Sequence, residues 1–184
     1  MKYFKLIFVL FLTIFISNNY GFGQKGNSLN LKNVLVVAQQ DDISDRYSME
    51  GAMIRLLNQY NIKTKAALNI IKEGGSPNIL LSDSIQNSLK EEGIDTYLLI
   101  SVRGFDNKFK VTENIQSMEV ELNAGHLFPL YREGASNVTF SFIFYRDGEP
   151  IYHELIRVKN TGSKDNVIKK LLKKVQKNLD KKWL

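Results

Sequence analysis

The order of strand-like and helix-like patterns is the feature that most limits the folds open to this chain. Asn33–Gln39 and residues 96–102 are short, almost continuous apolar runs, which is typical of strands buried on both faces. Residues 62–66 alternate between apolar and polar side chains, as in a half-exposed strand. Helical spacing of apolar residues lies between these runs, over residues 45–60 and 82–92. This alternation predicts helices packed on a sheet.

A hairpin and a last helix follow. Residues 138–145 and 151–158 flank a short link that contains Asp-Gly, which predicts an antiparallel pair. Ser163 or Asp165 is placed to cap a helix whose apolar residues recur at helical spacing. That apolar stripe consists of Ile168, Leu171, Leu172, Val175, Leu179 and Trp183.

The stretch between the third strand and the hairpin is harder to interpret. Residues 109–111 and 118–122 are interpreted as further strands, the latter because its apolar and acidic residues alternate, and residues 124–136 as a long loop. We predict an α/β (α+β) single domain with a mixed sheet of about five strands packed with three helices, ending in a late antiparallel hairpin and a C-terminal helix.

The N-terminal segment predicts export. Residues 1–23 combine two early lysines, an apolar run and a Gly-Phe-Gly end, which is the layout of a signal peptide cleaved before Gln24. The apolar run over residues 6–16 has 11 residues, whereas a retained membrane anchor needs roughly 20. We therefore expect a signal peptide at 1–23, a flexible leader at 24–32, and one globular domain at 33–184, located in the periplasm or secreted.

The composition of the chain excludes several kinds of functional site. The chain has no cysteine, so disulfides, thiolate metal sites, cysteine nucleophiles and a lipid anchor on cysteine are excluded. Of the formal net charge of +6, the closing segment over residues 163–184 carries eight lysines against two aspartates. Because the basic charge belongs to one terminal element, nucleic acid is not an expected partner.

One segment carries a resemblance to a known family. Residues 92–102, EGIDTYLLISV, place a Gly-Ile-Asp step between the end of a helix and the start of a buried strand. Together with residues 34–37, 45–60 and 62–66, the late hairpin and the Lys-rich closing helix, this order resembles small exported bacterial domains. They include the amino-terminal domain of TolB, LpoB, CsgG and periplasmic lipoproteins of unknown function.

That resemblance implies a non-enzymatic accessory role in the cell envelope, exerted through an envelope protein or a cell-wall polymer. The family has no shared catalytic site, so no functional residue is carried over. Many relatives are lipoproteins, and this chain departs from them in having no cysteine to acylate.

The residues themselves offer few catalytic candidates. His126 and His153 with Glu154 could hold a metal, but His153 lies in a predicted strand with Glu154 pointing to the other face, and His126 lies in a loop. Asp41, Asp42 and Asp45 could bind calcium, but they lack the full spaced pattern of an EF-hand, and we expect no metal or cofactor. No serine-hydrolase or phosphate-loop motif occurs. An envelope-directed hydrolase remains the alternative, its carboxylates drawn from Glu113, Glu119, Glu121 and Glu154.

Two surfaces are candidates for binding a partner. The lysines of the closing helix could face an anionic membrane, with Trp183 at the interface, although packing of the apolar stripe on the sheet is favoured. The loop over residues 127–132 carries aromatic residues and an arginine, which interface cores use. The predicted partner surface is Phe128, Tyr131, Arg132, Lys170, Lys174, Lys177 and Trp183.

Overall fold

The computed structural model of the protein describes residues 28–72, 75–106, 115–125, 128–160 and 162–184. The strands in this part of the chain are β1 Asn33–Gln39, β2 Lys63–Ala66, β3 Thr96–Phe105, β4 Asn137–Arg146 and β5 Glu149–Lys159. The α-helices are α1 Ile43–Asn58, α2 Asp83–Glu91, α3 Met118–Asn123 and α4 Lys164–Asn178. Short 3₁₀ turns at Ala67–Asn69 and Pro77–Leu81 and a π-helical turn at Leu179–Trp183 complete the described elements.

The five strands form one mixed sheet in the order β2-β1-β3-β4-β5. β1 is parallel to both of its neighbours, β2 and β3, while β4 is antiparallel to both of its neighbours, β3 and β5. The predicted fold class is therefore confirmed: a single α+β domain whose early strands are joined through helices and whose sheet ends in a hairpin. A fourth short helix, α3, adds to the three that were expected.

The sheet has a hydrophobic core on each face. α1 and α4 cover the first face, where Val34, Val36 and Ala38 of β1 meet Met53 of α1 and Leu171 of α4. α2 and α3 lie on the second face, where Leu35 and Val37 meet Leu89 and Leu122. Because successive side chains of a strand point to opposite faces, the continuous apolar run of β1 supplies both cores.

Local sequence signals set the ends of these elements. The Asp42 carboxylate accepts a hydrogen bond from the Asp45 N–H at 2.8 Å and caps α1, and Ser163 caps α4. Gly93 adopts φ +81° directly after α2, the left-handed position that glycine takes most readily. Asp147 and Gly148 have φ of +52° and +80°, which gives the two-residue hairpin turn that their sequence predicts.

Residues 118–122 form part of a helix, so their assignment to a strand was wrong. The Ser117 hydroxyl caps α3 through the Val120 N–H. Met118 and Leu122 are four residues apart and enter the second core on one side of the helix, while Val120 is exposed. Apolar residues at both i+2 and i+4 suit a strand and a single helical turn equally, and packing decides between them. The strand predicted at 109–111 lies outside the described residues.

The two ends of the described chain lie side by side. The Leu29 N–H donates to the Trp183 carbonyl at 3.1 Å, the Leu29 carbonyl accepts from Arg146, and Leu31 is buried. The leader predicted to be flexible through residue 32 is therefore fixed to the domain at least from Leu29. The predicted signal peptide at 1–23 lies outside the described residues. Within the residues described, we found no helix with both the length and the apolar character required for a membrane crossing.

Candidate functional site

α1 and α4 run side by side on the first face of the sheet and are joined at both ends. At their amino ends, the Lys164 ammonium forms an ion pair with the Asp45 carboxylate. Beyond their carboxyl ends, the Tyr60 hydroxyl donates a 2.7 Å hydrogen bond to the Asp180 carboxylate. Because amino end meets amino end, the helices are parallel.

An open groove of about 600 Å³ separates the two helices between these contacts. Its floor is apolar: Ala52 and Leu56 come from α1, and Ile168 and Leu172 come from α4. Ala52, Leu56 and Ile168 are buried and belong to the first core, against which Leu172 packs. The small side chain of Ala52 leaves space that a larger residue would fill. The groove is therefore a depression in the hydrophobic core that is open to solvent. We name it the α1/α4 groove.

The rim of the α1/α4 groove is basic and carries an exposed aromatic ring. Tyr47 has 75% of its surface exposed, which is unusual for a large aromatic residue outside an interface. Arg55, Lys169 and Lys173 supply three positive charges, and Asp165 is the one acidic side chain among the described residues of the lining. An apolar floor under a basic rim is suited to binding and contains no pair of carboxylates for acid–base chemistry.

The ion pair between Asp45 and Lys164 holds the amino ends of α1 and α4 together. Asp45 is almost fully buried, and its Oδ2 accepts a 3.0 Å hydrogen bond from the Leu130 N–H. The Asp45 carboxylate raises the pKa of Lys164 above its ordinary value, first through their hydrogen bond and then through charge. Asp45 thus connects α1, α4 and the loop before β4, and it is not available as a calcium ligand in the way the sequence allowed.

Trp183 is fully buried, so its predicted place on a partner or membrane surface was wrong. Its ring lies 4.9 Å from that of Phe144 and 5.8 Å from that of Phe142, and its Nε1 donates to Glu154 at 3.2 Å. The ring completes the apolar stripe of the closing helix, and burying it removes more apolar surface from water than any other residue type offers. Packing of this helix on the sheet, the favoured alternative, is confirmed.

The other predicted surface residues divide into two groups. Phe128 is 46% exposed and Arg132 is exposed, but Tyr131 is half-buried against the first core, and the Arg132 guanidinium lies 5.9 Å from the centre of the Phe105 ring. On α4, Lys174 donates to the Arg157 carbonyl of edge strand β5 at 2.7 Å, Lys170 is half-buried and Lys177 is exposed. None of these residues lines the α1/α4 groove.

Tyr47 and Arg55 of the groove were not predicted. Both lie on the side of α1 that the sequence pattern assigns to solvent, and such residues are ordinary on any helix. Lys169 and Lys173 were recognised only as members of a lysine-rich helix. The missing information is the position of α4 beside α1, because the groove exists only between the two helices.

A second polar cluster lies on the opposite face of the sheet. His153 Nε2 and the buried Ser141 Oγ are 3.0 Å apart, and Arg103 forms a 2.8 Å ion pair with Glu121 of α3. Burial, followed by the charge of Arg103, lowers the pKa of His153, whereas the negative charges of Glu121 and Glu154 act in the other direction. The Ser141 side chain is closed off from solvent, which favours a structural role for this pair over nucleophilic attack.

Glu50 of α1 is a buried carboxylate that has a structural role. It accepts hydrogen bonds from the Ala38 N–H at 3.1 Å and the Leu68 N–H at 2.9 Å. The last residue pair between β1 and β2 is Val36 with Ala66, and Ala38 lies beyond it. The Glu50 carboxylate therefore connects the two strand ends where their own pairing stops. Burial is the main cause of its raised pKa. In sequence Glu50 looks like any polar residue of an amphipathic helix.

Of the carboxylates considered for hydrolysis, the three that the structure describes are not gathered in one place. Glu121 pairs with Arg103 on the second face, whereas Glu154 lies on the first face with Lys182 and Trp183. Glu119 is exposed on α3, and Glu113 lies outside the described residues. His153 and Glu154 point to opposite faces, so they cannot share a metal ion; His126 is outside the described residues.

Comparisons with known proteins give structural likenesses at low sequence identity. No family model matches the chain, and no curated protein is similar to it. Lipoprotein GNA1162 from Neisseria meningitidis is 12% identical, with 81% of this chain and 98% of that chain covered and a TM-score of 0.44. A PelC dodecamer from Paraburkholderia phytofirmans is 13% identical, with 83% of this chain and 92% of that chain covered and a TM-score of 0.47. The likeness to TolB, LpoB and CsgG stays a prediction.

Proposed function

We propose that this chain is an exported accessory domain without catalytic activity, and that it acts by binding a protein partner in the α1/α4 groove. The observation that carries the proposal is the groove itself: a depression of about 600 Å³ with an apolar floor continuous with the core, beside a largely exposed tyrosine. A concave apolar site with a few polar groups on its rim is the usual form of a binding site.

The buried carboxylates have partners within the domain, which favours a binding function over hydrolysis. Asp45, Glu50 and Glu121 are each held by an ion pair or by backbone N–H groups that they also stabilise. A catalytic pair needs two carboxylates that face a substrate cleft roughly 5–10 Å apart. In the part of the chain that the structure describes, the groove lining offers one carboxylate, that of Asp165, and three cations.

Export is supported by the sequence of residues 1–23, with its basic start, short apolar run and small residues before Gln24. A domain that folds outside the cytosol has no supply of nucleotide cofactors, and a chain without cysteine relies on packing for its stability. The packed position of Trp183 and the complete two-sided core agree with such a domain.

The concave shape of the α1/α4 groove favours a protein as its partner over a membrane surface. Lipid headgroups contact a protruding basic face with aromatic anchors, whereas the apolar residues here lie at the bottom of a groove. The one tryptophan, which would be the preferred interfacial anchor, is buried in the core.

Affinity capture from a cell-envelope fraction tests the proposal with two matched variants of the mature chain. Tyr47→Ser with Lys173→Ser alters the groove rim, and Phe128→Ser with Lys177→Ser likewise removes one exposed aromatic residue and one lysine, from the surface that the sequence predicted. All four residues are exposed, so both variants are expected to fold. We expect the groove variant to lower the yield of the captured protein by at least about tenfold and the control to retain it. Loss in the control alone, equal yields for both variants, or no captured protein would overturn the proposal.

A further inference from the structure

We infer that the occupant of the α1/α4 groove is an acidic amphipathic segment of the partner protein, with aliphatic side chains on the groove floor and carboxylates against the basic rim. This inference rests on the proposed function and names the chemistry of the partner.

The rim cations are the first observation that supports it. Arg55, Lys169 and Lys173 are exposed, and in the described part of the chain none of them forms an ion pair with an acidic side chain. Other basic residues of the same region do have partners: Lys164 pairs with Asp45, and Lys182 pairs with Glu154. Three cations without an acidic partner therefore border the apolar floor, where a bound carboxylate would be partly shielded from water and held more strongly than at an open surface.

The placement of Arg55 adds to this argument. Its Nη1 lies 3.4 Å from the position that a β-carbon on Gly51 would occupy, so the guanidinium extends back along α1 over the glycine. The arginine side chain therefore lies along the helix, beside the groove that it lines. Arginine in this setting can bind a carboxylate through two parallel hydrogen bonds.

The dimensions of the groove indicate a short segment. On the side of α1, its lining extends from Tyr47 to Gln59, the residue that follows the helix, which corresponds to roughly 18 Å at about 1.5 Å per residue. That length fits about 12 residues of helix or about five residues of extended chain. The two contacts at the ends, Asp45 with Lys164 and Tyr60 with Asp180, limit the site along the helix axes.

Titration with synthetic peptides tests the inference on the intact mature chain. The probe is a fluorescent helical peptide of about 12 residues with leucines on one face and glutamates on the other; the comparison peptides replace all glutamates by lysine or all leucines by serine. We expect the Leu/Glu peptide to bind and to shift the backbone amide resonances of residues 47–59 and 165–176. The other two peptides should bind at least about tenfold more weakly.

Matched charge reversals complete the test. Lys169→Glu with Lys173→Glu should weaken binding of the Leu/Glu peptide by at least about tenfold, because both charges border the floor. Lys177→Glu with Lys181→Glu changes the net charge equally at exposed residues outside the groove lining and should weaken it by about threefold or less at about 0.15 M salt. Equal losses in the two variants, or equal binding of the Leu/Lys peptide, would overturn the inference.

Two further outcomes separate this inference from the proposed function. If envelope capture depends on Tyr47 and Lys173 but the Leu/Glu peptide does not bind, the groove is the site and the acidic chemistry is wrong. If phosphatidylglycerol vesicles pellet the chain and Lys169→Glu with Lys173→Glu abolishes pelleting while the peptide does not compete, the rim binds lipid and the inference is overturned.

Discussion

The indole Nε1 of Trp183 donates a 3.2 Å hydrogen bond to Oε2 of Glu154, which joins the end of the chain to the edge strand of the sheet. The same carboxylate group accepts from Lys182 and from the Tyr152 hydroxyl. Next to this carboxylate, the Trp183 ring contacts the Phe144 ring edge-on, with an angle of 73° between the two ring planes. The last residues of the chain therefore fix α4, and with it one wall of the α1/α4 groove.

Replacing Trp183 by alanine should destabilise the domain strongly. The substitution removes a fully buried aromatic ring and leaves a cavity between α4 and the sheet, for which the expected loss is about 3–5 kcal/mol of unfolding free energy. Urea denaturation of the mature chain measures it. Lys181→Ala, at an exposed position two residues away, is the control and should change the free energy by less than about 0.5 kcal/mol. Similar values for the two variants would contradict the packed position of Trp183.

Removing the Lys164 ammonium should leave the buried Asp45 carboxylate without its cation. Because Lys164 is 35% exposed, water can compensate in part, and we expect Lys164→Met to cost about 1–2 kcal/mol. A double-mutant cycle with Asp45→Asn gives the coupling between the two residues from denaturation midpoints. A coupling energy near zero would show that the ion pair does not hold the amino ends of α1 and α4 together.

Stability should fall in mildly acidic solution because of His153. Its pKa in the folded chain lies below the ordinary value of 6.5, mainly through burial. Between that lower value and 6.5 the unfolded chain binds more protons than the folded one, so stability is lost as the pH drops below about 6.5. His153→Gln retains a group that can hydrogen-bond to Ser141, and its unfolding free energy should decrease less than that of the natural chain between about pH 7.5 and 5.5. Parallel decreases would rule out His153 as the source.

Two glycines should respond to alanine in opposite directions. Gly51 is helical, and a β-carbon there would meet the Arg55 guanidinium at an ordinary distance of 3.4 Å, so Gly51→Ala should stabilise the domain by about 0.5–1 kcal/mol. Gly93 has φ +81°, so Gly93→Ala should destabilise it by about 1 kcal/mol. Thermal unfolding in one buffer measures both. Stabilisation by Gly93→Ala would contradict the left-handed turn after α2.

Much of the fold could be predicted because its signals are local. The β1 run, the Asp-Gly turn at 147–148 and the Ser163 cap each specify a conformation through neighbouring residues. The helix at 118–123 was missed because a single helical turn has the same apolar spacing as a short strand. Trp183 already belonged to the predicted apolar stripe, and its assignment to a surface gave too much weight to the lysines around it.

The candidate site was harder to predict because it depends on distant residues. Ala52 and Leu172 are ordinary helix residues until the sheet places their helices side by side. Asp45 and Glu50 look like solvated charges in a helical sequence, although one pairs with Lys164 and the other bridges Ala38 and Leu68. Pairing between residues so far apart in sequence leaves no periodic pattern to detect.

Site-specific photo-crosslinking in the native envelope tests the central claim most directly. Benzoylphenylalanine would replace Tyr47 at the groove or Val120 on α3, both of which are exposed and lie on opposite faces of the sheet. We expect a discrete crosslinked protein from position 47 that disappears with Lys169→Glu and Lys173→Glu, and none from position 120. The same crosslinked protein from both positions, or from position 120 alone, would contradict binding through the α1/α4 groove.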